Sequence, residues 1–471
     1  MVTQGEAHVF PHFDAVVAEV PERDSFPRLD ELETCVEELA GAGGAGVWTA
    51  GHSRAGRPMR CLEIPGGPLQ ALLVGLPHPE EPVGALMLQY LLPLLAAGLA
   101  EELGFGFSVV MAGDPDGLVV NEPWFERPYD LAEYILHVYR PPLADQFEWT
   151  FPVEYKRYGF LRPLPEARAV MEVVHRRPLD LYAALHDSTF CGGYFYLSAS
   201  DAELEADLAA ALAATELPVH CGEPEVPYLR TLSPGVFEAF SLADDYDYYE
   251  AYGADPAALM TCGTSSDAYA AATWDCFTLV AETPHFTTSR IADLRPAGLS
   301  RGEARLDGLG ETRALADWLH ERYVEAAPRL TVESPWQRTV HAYLATVVED
   351  LRAERAQVEA EPRFREEATV AQLCDSLYLR QLEALTRVGQ FANMVAAEPA
   401  QDVRLGALRD EAEALVRDRA PRLASACGLE PVPLRRLVQC QLSALLSTLL
   451  AVRGRYRSAR PRPVAARSPR P

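Results

Sequence analysis

Residues 72–91 have the sequence LLVGLPHPEEPVGALMLQYL, in which a short apolar run meets His78-Pro79-Glu80-Glu81 and a longer apolar run follows. The first run predicts a buried strand and the second a core helix, because strands are short and helices are longer. A histidine and a glutamate three residues apart at such a turn can both point at one cation. Taken alone, a pair with this spacing is usually two surface residues, so a metal site needs further ligands.

Two other apolar runs also end in a side chain that can work at a metal site. LDLYAAL (179–185) is followed by His186, and FTLVA (277–281) is followed by Glu282. The functional residues of open α/β sheets gather at the carboxyl ends of the strands. Two imidazoles and one carboxylate are the ligands of a three-ligand catalytic zinc site, which leaves one position open for water. We therefore expect these strand ends to lie together.

The chain changes its pattern along its length. Short β-rich runs such as MRCLEI (59–64) and FSVVMAG (107–113) alternate with helical stretches over residues 46–302. This alternation predicts an α/β domain, with a mixed, mostly parallel sheet flanked by helices. Residues 1–45 are expected to form a helical lead-in, and the helical apolar spacing of residues 303–452 predicts a C-terminal bundle. The Arg- and Pro-rich residues 453–471 are expected to be disordered.

Charge and cysteine content narrow the class of protein. The formal net charge of −26 argues against nucleic acid and anionic membranes as partners. Nine cysteines without a CxxC pair argue against a disulfide framework and a cysteine zinc site. The longest apolar run, 85–100, is short for a bilayer span, and the N-terminal residues do not look like an export signal. A cytoplasmic protein is the resulting expectation.

The order of these segments resembles that of the carboxypeptidase A/B-like zinc metallopeptidases, part of the metallocarboxypeptidase superfamily. The resemblance covers residues 46–300 and rests on GHSRAGR (51–57), His78 with Glu81, GDPDG (113–117), PEARA (165–169), Asp180 to His186, and Glu282. It implies one zinc ion held by His78, Glu81 and His186. It also implies that Glu282 takes a proton from water and passes it to the leaving nitrogen.

The segments that grip the substrate in this family are altered here. The digestive relatives have arginine immediately before the glutamate ligand, where this chain has Glu80, so we expect Glu80 to favour a positively charged group. The Asn-Arg pair that holds a C-terminal carboxylate in the family falls at Tyr139-Arg140, which keeps only the arginine. The resemblance thus implies that Arg140, with Tyr139 beside it, contacts the substrate.

Three further residues are expected at the site on the same resemblance. Arg127, three residues after Trp124, is the candidate for stabilising the oxyanion, although it is shifted by two positions from the family pattern. Ser266 falls at the floor of the specificity pocket, in GTSSDAYA (263–270). His285 follows Glu282 by three residues and is expected either to line the pocket or to cap the turn.

The leading hypothesis is zinc-dependent hydrolysis of an amide bond in a small peptide or an amino-acid conjugate, in a biosynthetic or salvage pathway. One alternative is a deacylase of the same superfamily, which releases a small carboxylic acid instead of a C-terminal amino acid. A second alternative is an interaction scaffold that has lost its metal and presents the helical region to a partner. The helical region is also where a homo-oligomer would form.

Overall fold

A computed structural model describes residues 11–226, 228–251, 255–399 and 401–458. The expected disordered segment begins at residue 453, but the last helix continues to Ser458. The remainder of that segment, and the first ten residues of the expected lead-in, lie outside the described residues.

Sixteen strands are present in the described part of the chain. They are β1 (Gly46–His52), β2 (Pro58–Ile64), β3 (Leu69–Gly75), β4 (Phe105–Val110), β5 (Val153–Tyr155), β6 (Tyr158–Phe160), β7 (Leu181–Leu185), β8 (Ser188–Phe190), β9 (Tyr194–Leu197), β10 (Thr231–Ser233), β11 (Val236–Glu238), β12 (Phe277–Glu282), β13 (Pro284–Thr287), β14 (Pro296–Ser300), β15 (Glu367–Thr369) and β16 (Glu430–Pro431).

The helices in the same part of the chain are α1 (Pro11–Ala18), α2 (Leu29–Gly41), α3 (Val83–Leu94), α4 (Ala100–Leu103), α5 (Pro115–Phe125), α6 (Leu131–His137), α7 (Pro165–Arg176), α8 (Ala202–Ala214), α9 (Leu242–Ala251), α10 (Pro256–Leu259), α11 (Ser266–Trp274), α12 (Arg301–Ala326), α13 (Pro335–Ala360), α14 (Val370–Cys374), α15 (Arg380–Ala396), α16 (Val403–Cys427) and α17 (Leu434–Ser458). A π-helical turn, Leu95–Leu99, joins α3 to α4, and another, Asp375–Leu379, joins α14 to α15.

The main sheet has nine strands in the order β1-β2-β4-β3-β7-β12-β9-β11-β10. The neighbours β4-β3-β7-β12 at its centre run parallel to one another, and antiparallel pairings flank them. The central strands β3, β7 and β12 are buried along almost all of their length, which explains their continuous apolar sequences. The expected α/β class, with a mixed sheet between helices and a helical region after it, is confirmed.

The helical region shares its core with the sheet. One apolar cluster includes Leu73, Leu185 and Leu279 from the central strands together with Leu382 of α15 and Leu442 of α17. Helix α17 packs on α3 and α8, and α15 packs on α6. Apolar side chains that point away from this cluster pack on the other face of the sheet, against α7. Among the helices after residue 303, α17 packs directly on β7 and β12, and α15 and α16 pack on α6.

Two helical stretches, Val83–Leu103 and Leu434–Arg455, are long and apolar enough to cross a bilayer. In each of them 61% of the most apolar window is buried inside the protein. Core helices of globular proteins have the same composition, so these stretches are weak evidence for a membrane span.

Candidate metal centre and its cavity

His78, Glu81 and His186 lie together at the carboxyl ends of β3 and β7. The two strands are parallel neighbours with Gly75 opposite Leu185, so the residues that follow them emerge at the same edge of the sheet. The three side chains are almost fully buried, and one ligand atom from each lies within 4.8 Å of the others.

The turn after β3 is shaped by two local features. Leu76 has a φ of 48°, in the left-handed region that a branched residue rarely adopts, so the chain turns sharply before His78. Gly84, in the first turn of α3, approaches β7 so closely that a Cβ atom there would lie 2.5 Å from the backbone oxygen of Leu185. This close approach places the turn carrying Glu81 beside His186.

Hydrogen bonding and charge among the three residues fit a cation site. The Nδ1 atom of His186 lies 2.7 Å from Oε2 of Glu81. Burial lowers the pKa of His78. Burial also acts to lower the pKa of His186, but the charge and hydrogen bond of Glu81, together with the charges of Glu282 and Glu148, raise it to about 10. Nδ1 of His78 is buried and has no hydrogen-bond partner among the described residues. An orphaned imidazole nitrogen beside a carboxylate and a second imidazole is a donor set that zinc accepts.

Glu282 is the last residue of β12, the parallel neighbour of β7 on its other side. Its Oε1 atom lies 4.0 Å from Nδ1 of His186, and the side chain faces the same cavity. Burial, and then the charge of Glu81, raise the pKa of Glu282 well above its usual range. Glu282 therefore lies next to the cluster of His78, Glu81 and His186 without being part of it.

His285 does not line the cavity but lies behind Asp187, which does. Its Nε2 atom is 3.0 Å from Oδ1 of Asp187, and its ring stacks on Phe26. Oδ2 of Asp187 accepts a hydrogen bond from the backbone nitrogen of Val83 at the start of α3. His285 therefore does not line the pocket, which was the first of its two expected roles. It contacts Asp187, the residue that follows His186.

Glu80 faces the cavity and is only 4% exposed. The Nη1 atom of Arg140 lies 2.7 Å from Oε1 of Glu80 and 3.2 Å from Oε1 of Glu81. Burial raises the pKa of Glu80 to about 7 although Arg140 opposes this. Arg140 also lines the cavity. Its positive charge is already compensated within the chain, because it pairs with Glu80 and Glu81.

Two of the expected site residues, the substrate contact Tyr139 and the oxyanion candidate Arg127, lie elsewhere. Tyr139 packs edge-on against Trp336, and its backbone nitrogen donates to Asn121. Arg127 has a side chain that is 67% exposed and 3.7 Å from Glu133. Arg127 was expected to stabilise the oxyanion, but α5 ends at Phe125 and leaves Arg127 on the exposed surface.

Ser266 is fully buried and does not itself form the cavity wall. Its backbone nitrogen and its hydroxyl donate to Oε1 of Glu148 at 3.1 and 2.8 Å. Glu148 lines the cavity in its place. Sequence analysis missed Glu148, because DQFEWT (145–150) contains no recognisable motif and the contact spans more than a hundred residues.

The cavity has a volume of about 420 Å³ and is bounded in part by the helical region. Helix α15 contributes Glu383, Thr386, Arg387 and Gln390, none of which the sequence indicated. The carboxylate, imidazole and guanidinium side chains of the described lining are the acids Glu80, Glu81, Glu148, Asp187, Glu225, Asp267, Glu282 and Glu383, the histidines His78 and His186, and the bases Arg140 and Arg387. Carboxylates thus greatly outnumber basic side chains around this cavity.

No protein-family model and no curated protein matches the chain. Solved structures that resemble it include a protein assigned as a metallopeptidase from Shewanella amazonensis, with 16% identity, a TM-score of 0.38, and coverage of 54% of this chain and 84% of that one. A carboxypeptidase A from Helicoverpa armigera has 15% identity, a TM-score of 0.36, and coverage of 58% and 69%. A metallo-carboxypeptidase from Burkholderia cenocepacia has 17% identity, a TM-score of 0.31, and coverage of 54% and 60%. Likenesses of this strength carry neither a family nor an activity over to this chain.

Proposed function

We propose that the chain is a zinc-dependent amide hydrolase, with the metal held by His78, Glu81 and His186. The observation that carries the proposal is the meeting of these three side chains with Glu282 at the ends of three adjacent parallel strands, facing one cavity. Zinc bound by such ligands supplies Lewis acidity, which polarises a carbonyl and acidifies water.

Glu282 acts as the general base and then as the general acid. It accepts a proton from the water whose oxygen forms a bond to the amide carbon, and it delivers that proton to the nitrogen as the carbon–nitrogen bond breaks. Its position at the end of β12, 4.0 Å from Nδ1 of His186, supports this role.

Asp187 positions the neighbouring ligand. It accepts from the start of α3 on one side and contacts His285 on the other, so it ties the turn after β3 to the segment after β7. Gln441 of α17 donates to the backbone oxygen of His186 at 2.7 Å. These contacts add to the hydrogen bond between the His186 ring and Glu81 and fix the backbone that carries His186.

A small substrate suits the cavity best. Its volume of about 420 Å³ and the wall formed by α15 leave room for a small peptide or an amino-acid conjugate. The family's carboxylate clamp would have to use Arg140, which Glu80 already neutralises. Recognition of a terminal carboxylate by Arg140 therefore requires that the substrate competes with Glu80.

The proposal is tested with Glu282→Gln in the zinc-loaded full chain. Turnover of a panel of N-acylated dipeptides and amino-acid conjugates should fall at least about 10²-fold, while zinc content stays unchanged. Glu172→Gln, on the exposed side of α7 and away from the cavity, is the matched control and should keep full turnover. Undiminished hydrolysis by Glu282→Gln would reject Glu282 as the base. Wild-type protein that holds zinc but cleaves no amide in the panel would reject the hydrolase function.

A further inference from the structure

Glu148 is a buried carboxylate that neither metal binding nor proton transfer uses. It lines the cavity and is 2% exposed. Ser266 occupies Oε1 of Glu148 through two hydrogen bonds, but Oε2 has no hydrogen-bond partner among the described residues. A buried carboxylate oxygen without a donor is costly, so its persistence on a cavity wall points to a donor supplied by a ligand.

The charges near Glu148 are balanced only in part from within the chain, since burial raises its pKa to about 7 and the charge of His186 opposes this rise. Asp267 and Glu225 line the same cavity and accept hydrogen bonds from the neutral hydroxyls of Ser265 and Tyr196. Within the described residues, no arginine or lysine forms an ion pair with any of these three acids. The two basic residues of the lining are engaged elsewhere, Arg140 with Glu80 and Arg387 with Gln390.

Aromatic rings form the wall beside these acids. Trp149 follows Glu148 in the chain, and its ring centroid lies 6.0 Å from that of Phe240. Phe240 in turn lies 5.7 Å from Tyr196, and all three rings line the cavity. The faces of aromatic rings attract amine and guanidinium cations, and a guanidinium group can also stack on them. A wall of this kind beside an unpaired carboxylate favours a cation over a neutral polar group.

We infer that Glu148, with Trp149, Phe240 and Tyr196 around it, forms a subsite for an amine or guanidinium group of the substrate. Glu148 is then the residue that determines specificity, and Ser266 positions its carboxylate. This inference rests on the proposed hydrolase function, because it names the substrate class of that same site. The substrates are small amides that carry a positively charged side chain.

Binding of arginine and of citrulline tests the inference, because citrulline replaces the guanidinium group with a neutral ureido group of the same shape. Calorimetric titration of the zinc-loaded full chain should show arginine binding at least about tenfold more tightly than citrulline, the usual range for a charge-assisted hydrogen bond. In Glu148→Gln, whose amide oxygen can still accept from Ser266, the ratio should fall to near one. Glu172→Gln should keep the wild-type ratio.

Ser266→Ala provides a second, independent variant. It removes the hydroxyl that holds Glu148 but leaves the backbone donor, so the arginine-to-citrulline ratio should fall only partway. Unchanged zinc content and thermal unfolding show that each variant is folded. A ratio near one in the wild type, or an equal ratio in wild type and Glu148→Gln, would overturn the inference.

The binding test separates this inference from the hydrolase proposal because it needs no bond cleavage. Hydrolysis of neutral amides without any preference for arginine would reject the cation subsite and leave the hydrolase proposal intact. A preference for arginine that depends on Glu148, in a chain that cleaves no amide, would support the subsite and reject the hydrolase.

Discussion

Arg140 and Glu80 form an ion pair inside the cavity. We expect this pair to contribute to the stability of the folded protein even when no substrate is bound. Removing one member of such a pair leaves the other charge uncompensated in a buried site. Because Glu80 is 4% exposed and the Arg140 side chain 37%, we expect Arg140→Ala to lower the free energy of unfolding by about 1–3 kcal/mol. The double variant Arg140→Ala/Glu80→Gln should recover most of this loss. Urea denaturation of the wild type, Arg140→Ala, Glu80→Gln and the double variant gives the coupling energy between the two residues. Losses that add up would show that the pair does not act as a unit.

Whether a site residue could be predicted from the sequence depends on how far along the chain the residues that position it lie. His78, Glu81, His186 and Glu282 could be predicted because each lies at the end of a buried apolar strand or in the turn that follows it. Glu148 could not, since the Ser266 contact that holds it is 118 residues away. Arg127 was wrongly expected at the site because the family pattern does not reveal that α5 ends at Phe125, which leaves Arg127 beyond the helix on the exposed surface.

Gly84 shows how an element is fitted to the site. It lies within α3, where glycine normally costs about 0.5–1 kcal/mol relative to alanine. Gly84→Ala should nevertheless destabilise the protein and lower its zinc content, because the added Cβ would lie 2.5 Å from Leu185, next to His186. Gly310→Ala in α12 is the control, since no atom lies within 4 Å of the added Cβ, and it should leave Tm unchanged or slightly higher. Equal thermal shifts in the two variants, measured with zinc content, would contradict the close packing of α3 on β7.

The helices after residue 303 belong to the body of the protein in this structure. The sequence predicted that they are helical, from their apolar spacing, but not that α15 lines the cavity or that α17 contacts the backbone of His186. Such contacts depend on tertiary packing, which local periodicity does not specify. The shared core predicts that the two regions unfold together.

Differential scanning calorimetry of the full chain should therefore show one cooperative transition, and removal of zinc should shift the whole transition to lower temperature. The ratio of calorimetric to van't Hoff enthalpy should be close to one. Two separable transitions, of which only the first responds to zinc, would indicate that the helical region is an independent domain.

The metal content of His186→Ala tests the central claim most directly. Purified wild-type protein is predicted to hold about one zinc ion per chain by elemental analysis, and Glu282→Gln is predicted to hold the same amount. His186→Ala should hold almost none, because two remaining ligands bind zinc poorly, while its secondary structure by circular dichroism stays intact. Full zinc occupancy in His186→Ala would contradict the assignment of the metal centre and, with it, the proposed function.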